Sequence, residues 1–169
     1  MTRKFLIAWI FSALLALVLR RLYSWLPCPL TNVFSPAGPE FWERLKVIFW
    51  PFLLASLVLT GSMRERPRAW SAFLAALLLQ PVLLAALALL CGLAGWTGPV
   101  LSAVLDSLTL GFGFTAAYGL YGSGRAERLL GLLIVLSALY GAALVIFSLA
   151  APKLPNIPIK TALFPTKRS

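Results

Sequence analysis

An all-α bundle of five transmembrane helices follows from three features of this 169-residue chain. Apolar residues make up 60% of it and charged residues 12%, about half the charged fraction of a soluble domain. The apolar residues gather in five stretches, at 5–27, 40–60, 69–92, 99–121 and 128–151, each long enough to cross a bilayer core of ~30 Å. The connectors between the last four are short: Gly61 to Pro67, Gly95 to Gly98, and Gly122 to Glu127. Lipid offers a peptide group no hydrogen bond, so a lone stretch of this kind crosses as a helix that satisfies its own backbone. Short connectors make successive spans antiparallel, as in an up-and-down bundle.

Taken in order, the first stretch begins Thr2-Arg3-Lys4-Phe5 and imitates a secretory signal peptide. A small-x-small cleavage site is missing and Arg20-Arg21 follows the apolar run directly, so an uncleaved span is expected. The second stretch contains Pro51, which withholds the N–H that would bond the carbonyl of Val47. In the third, Pro81 does the same to Leu77, and beside it lies Gln80, the one amide side chain deep in a span. These residues predict either a plain kink with Gln80 bridging two helices, or a broken helix that offers carbonyls to a ligand. The kink is favoured.

The fourth stretch sets Ser107, Gly111, Thr115, Gly119 and Ser123 at intervals of four. Small residues let a second helix approach closely, although a four-residue step drifts by ~40°, so the ridge winds around the helix. Packing inside the bundle against Ser137 and Gly141 of the fifth stretch is favoured; contact with a second copy or another membrane protein is the alternative. The tail, residues 152–169, places Pro152, Pro155 and Pro158 three apart, which suits extended polyproline II structure. Leu154, Ile157 and Leu163 suggest that it lies across the outer face; a disordered tail fits equally.

Charge gives the threading. Arg3, Lys4, Arg64, Arg66, Arg68, Arg125 and Arg128 fall on one side of the bundle and the connector at 93–98 on the other has no charge. The positive-inside rule then puts the N-terminus in the cytoplasm and the C-terminus outside a plasma membrane. Arg44, Lys46 and the tail's Lys153, Lys160, Lys167 and Arg168 count against this but weigh less. The net charge of +10 reads as attraction to anionic membrane lipids; nucleic-acid binding would need a soluble basic face.

Catalysis has little to work with. There is no histidine, and the acidic residues are five: Glu40, Glu43, Glu65, Asp106 and Glu127. Imidazole-based metal or acid/base designs are excluded, paired intramembrane aspartates are absent, and no cofactor is expected. Cys28 and Cys91 are too far apart for a C-x-x-C pair, yet both fall at outer ends of spans, where a disulfide could form. The alternative is two small apolar side chains.

After the first span comes Phe34-Ser35-Pro36-Ala37-Gly38-Pro39-Glu40-Phe41-Trp42-Glu43-Arg44-Leu45-Lys46. This resembles the S-P-V-N-E-S-x-W-E-H-L-K segment of a family of small polytopic bacterial membrane proteins. Ser35, Pro36, Trp42, Glu43, Leu45 and Lys46 match; Gly38, Pro39 and Arg44 depart from its Asn, Glu and His. Asp106 in the fourth span and the proline-rich ending are similar too. The resemblance implies a membrane bundle and brings no activity with it.

Depth gathers the embedded charges. At ~1.5 Å per residue, Arg20, Arg21 and Asp106 lie ~10 Å below the outer ends of their spans, and Glu43 and Lys46 share one face of the second span's first turns. Ionisable groups at that depth are expensive unless paired, and they default to functional candidates. The expectation is a polar cluster with Asp106 bridged to Arg20 or Arg21, Glu43 to Lys46, and Trp42 covering the opening. The competing expectation is that the arginines snorkel to headgroups. The class expected is an accessory or ligand- or lipid-binding membrane protein without enzyme activity. A small transporter, or a transporter's substrate-binding subunit for an anionic or amphipathic molecule, is the alternative.

Overall fold

A computed structural model describes residues 2–26, 28–36, 41–63, 65–96 and 98–150; the tail lies outside them. Helices α1 (Thr2–Trp25), α3 (Phe41–Gly61), α4 (Arg66–Leu93), α5 (Pro99–Ser123) and α6 (Leu130–Ala150) are the long ones. A six-residue helix, α2 (Pro29–Phe34), follows α1, and a 3-10 turn (Arg125–Leu129) precedes α6. Five helices are long and apolar enough to cross a membrane, and no strand occurs among the described residues. The protein is an all-α bundle suited to a membrane.

Its surface agrees. Ile7, Phe11, Val58, Val82, Phe112, Leu139 and Ile146 are exposed, a pattern that water would penalise and lipid accepts. Inside, Phe52, Phe73 and Phe114 pack ring against ring, with Phe5 stacked on Phe73. Of the spans, α3 is the most enclosed and α6 the least.

The most extensive seams are α4–α5 and α1–α3; α1 also lies along α5, and α6 along α4. Close approach of α4 to α5 depends on Gly113, where a Cβ would collide with the amide of Gln80 and come 3.0 Å from the Phe52 ring. Among the described residues α5 and α6 do not adjoin. The 3-10 turn carries the chain across the end of α4 instead. Gly124 makes this corner with φ +63°, a left-handed conformation open to glycine. Arg68 of α4 holds it by donating to the Gly122 carbonyl at 2.7 Å, with its guanidinium over Tyr121.

Several expectations change here. Ser137 and Gly141 do not meet the ridge of α5; Gly141 faces the ring of Phe49 on α3. The ridge itself is split. Trp9 of α1 donates to the Ser107 carbonyl at 3.0 Å and covers Gly111, whereas Thr115 is exposed and Gly119 has open space beside it. Both α3 and α4 continue as helix through Pro51 and Pro81, so neither is broken. Gln80 is buried, but its amide has no hydrogen-bond partner among the described residues and bridges nothing. No disulfide joins Cys28 to Cys91. A disulfide requires Cα atoms within ~7 Å, and neither α1 nor α2, which bracket Cys28, packs its backbone against α4.

Candidate functional site

The embedded charges sit at the end of the bundle that carries α2, in two groups on opposite flanks of α3. Its first turns begin Phe41-Trp42-Glu43-Arg44, and consecutive helical residues diverge by ~100°. Neighbours in sequence therefore take different directions: Trp42 meets α6 and Arg44 meets α5.

Arg44 turns towards α5. Its Nη2 donates to Asp106 Oδ1 at 2.8 Å and approaches the Ser102 carbonyl at 3.3 Å. From α1, Arg20 donates through Nη2 to Asp106 Oδ2 and through Nη1 to Ser102 Oγ at 2.9 Å. The Asp106 side chain is 2% exposed, whereas Arg20 and Arg44 are 22% and 18% exposed. Among the described residues one buried carboxylate thus holds two guanidiniums, leaving an excess of one positive charge. Arg44 Nε is also buried and has no partner among the described residues. A guanidinium carries five N–H donors in a planar fork, and not all of them are occupied.

Glu43 pairs with Lys46 within α3, and Lys46 reaches α2. Lys46, fully buried, lies 2.8 Å from both Glu43 carboxylate oxygens and donates to the Asn32 carbonyl at 2.8 Å. This group is neutral, and it anchors α2. Asn32 Nδ2 donates to the Ser148 carbonyl of α6 (2.8 Å), Trp50 Nε1 to the Val33 carbonyl (3.0 Å), and Ser35 Oγ to the Leu19 carbonyl (2.5 Å). Pro29 at the first turn suits a helix start, and the Cys28 N–H donates to Thr31 Oγ1 at 3.1 Å. The short helix is pinned to α1, α3 and α6 at once.

Of the pairings expected from depth, Asp106 with Arg20 and Glu43 with Lys46 are present. They form two groups, not one. Arg21 is exposed, and Asp106 pairs with Arg20 and Arg44. The Trp42 ring packs edge-on against Phe147 of α6 at 4.6 Å. Arg44, Ser102 and Asn32 were not anticipated. The available signal for Arg44 was its place beside Glu43, one residue into the same polar turn.

Two apolar grooves lie deeper. One of about 530 Å³ runs between α3, α4 and α6 past Trp50, Trp70 and Ser137. The other, about 460 Å³, follows the α1–α5 seam past Phe5, Trp9, Phe112 and Tyr118. Among the described residues no cluster of His, Cys, Asp or Glu is suited to a metal ion. Comparison with protein-family models, curated proteins and solved structures finds no match.

Proposed function

We propose that this is an accessory or ligand-binding protein of the plasma membrane, and that Arg20, Arg44 and Ser102 receive an anionic group beside Asp106. The observation that carries the reading is the surplus of guanidinium over carboxylate in a mostly buried layer. Asp106 neutralises one of two arginines, and the other keeps an unpartnered Nε. A cation held in low dielectric attracts an anion far more strongly than it would in water. Arginine's fork suits carboxylate or phosphate bidentately. Continuous helix through Pro51 and Pro81 supports a binding role over alternating access, which uses discontinuous helices. The positive charges near the Thr2 end of α1, the start of α4 and the 3-10 turn support a cytoplasmic N-terminus, which places the anion site under the outer surface.

The test is thermal unfolding of the full chain in neutral detergent with glycerol 3-phosphate or with glycerol. Stabilisation by the phosphate ester alone, lost in Arg44→Gln, is expected. Equal responses to both, or a phosphate response unchanged in Arg44→Gln, would overturn the reading.

A further inference from the structure

We infer that the anionic group belongs to a phospholipid whose phosphate sits at Arg20 and Arg44 and whose acyl chain lies in the groove along the α1–α5 seam. This rests on the anion-site reading above and adds the identity of the molecule that brings the anion.

Cluster and groove are built on the same two helices. Arg20 comes eleven residues after Trp9; at ~100° per residue that is three full turns with ~20° to spare, so both project from one face of α1. On α5 the groove runs from Leu108 to Tyr118, which is ~3 to ~18 Å along the helix from Asp106. That length of ~15 Å is about the reach of one acyl chain, and because Asp106 lies ~10 Å below the outer end of α5 the chain would run across the bilayer midplane. Its walls are apolar and open sideways: Leu6, Leu108, Phe112 and Tyr118 are all 43–55% exposed. Gly111 is covered by the Trp9 ring, which gives the groove a flat aromatic floor, and the small, exposed Thr115 leaves its far wall low.

Charge chooses the occupant. A neutral chain would gain nothing from this groove over bulk lipid, because lipid tails are as apolar as its walls. A phosphate on the same molecule adds charge-assisted hydrogen bonds to Arg44 and Arg20 at one end of the seam. Such bonds are worth more than neutral ones, and they act only on an anionic headgroup. A zwitterionic lipid brings its own cation to a site that already has one in excess.

The experiment uses the full chain in neutral detergent, with native mass spectrometry to count retained lipid. Phosphatidylglycerol, phosphatidylcholine and glycerol 3-phosphate are compared on wild type, Arg44→Gln and Thr115→Trp. The last fills the groove from its exposed rim and leaves the arginines untouched. Phosphatidylglycerol should be retained about tenfold over phosphatidylcholine, the factor for one charged hydrogen bond. Arg44→Gln should erase that preference. Thr115→Trp should cut phosphatidylglycerol retention several-fold and leave the thermal response to glycerol 3-phosphate as in wild type. If glycerol 3-phosphate stabilises but Thr115→Trp retains phosphatidylglycerol fully, the anion site stands and the lipid inference falls. If neither phosphate compound is preferred over its neutral counterpart, both fall. Should Arg44→Gln fail to fold, the Thr115→Trp arm and the lipid comparison still decide.

Discussion

Arg20 and Arg44, from helices α1 and α3, hold the two oxygens of one carboxylate on α5: Arg20 takes Asp106 Oδ2, and Arg44 takes Oδ1 at 2.8 Å. Three spans are tied at a single buried atom group. Removing one member of a buried ion pair strands the others, typically at a cost of about 3–5 kcal/mol. Partial exposure of the arginines places Asp106→Asn near the lower end, about 3 kcal/mol. Glu127→Gln, at an exposed residue, should change stability by under about 0.5 kcal/mol. Denaturation of both variants in mixed micelles checks this; equal midpoints would show that the carboxylate holds nothing together.

The Glu43–Lys46 pair behaves differently because it is neutral and almost wholly enclosed. Lys46→Met takes the ammonium away from the buried Glu43 carboxylate and releases the Asn32 carbonyl. A loss of about 3 kcal/mol is expected. Adding Glu43→Gln should recover part of it, since the second change removes the buried carboxylate that Lys46 balanced. A double variant as unstable as the sum of the two singles would mean that the groups do not interact.

Depth along a helix was legible in the sequence and direction around it was not. The five spans are written in the apolar stretches, and counting residues from their ends put Arg20, Arg21, Glu43, Lys46 and Asp106 into one layer. In a soluble helix the polar face would then say which way each residue points. A membrane helix is apolar on both its lipid and protein sides, so that signal vanishes. One cluster covered by Trp42 was expected, but 100° steps send Trp42 to α6 and Arg44 to α5, while Glu43 pairs with Lys46. The same blindness assigned Ser137 and Gly141 to α5, when the 3-10 turn carries α6 past it. Helix α2 was missed for another reason. Six residues are too few for periodicity to show, and its place is set by bonds from Asn32, Lys46 and Trp50 to groups far away in the chain.

Gln80 gives the next prediction. Its amide is buried beside Gly113 and neither nitrogen nor oxygen has a partner among the described residues. An unpartnered buried polar group costs about 1–3 kcal/mol. Gln80→Leu keeps nearly the same volume and removes that cost, so it should stabilise the protein by about 1 kcal/mol. The measured quantity is the shift in unfolding midpoint. Destabilisation by a similar amount would show that the amide is bonded in the membrane, by water or by a ligand.

Close approach at the same place predicts an interaction between two substitutions. Gly113→Ala puts a methyl group into the Gln80 amide, with Phe52 also 3.0 Å away. Overpacking of this kind costs typically 1–3 kcal/mol. Gln80→Ala clears the larger obstruction, so Gly113→Ala should cost about 1 kcal/mol less in that background. Gly119→Ala has open space around its new methyl and should be neutral or slightly favourable through helix propensity. Equal costs at Gly113 and Gly119 would remove Gly113 as the contact that sets the α4–α5 seam.

The cysteines test both the packing and the threading. Cys28 is exposed beyond α1 and Cys91 lies near the end of α4, with α3 and α5 lying against α1 on the way to α4. Gel mobility should therefore be the same with and without reductant, and two thiols should titrate with alkylating reagent in denaturant. With a cytoplasmic N-terminus, Cys28 faces the exterior. In intact cells a membrane-impermeant maleimide should label wild type and Cys91→Ser, and should fail on Cys28→Ser/Cys91→Ser. Cysteine introduced at Ser62, in the α3–α4 connector, into that double variant should stay unlabelled until the membrane is opened. Labelling of Ser62→Cys from outside, with Cys28 protected, would reverse the orientation. It would also move the Arg20–Asp106–Arg44 site to the cytoplasmic leaflet, where its anion would be drawn from a different pool of lipid.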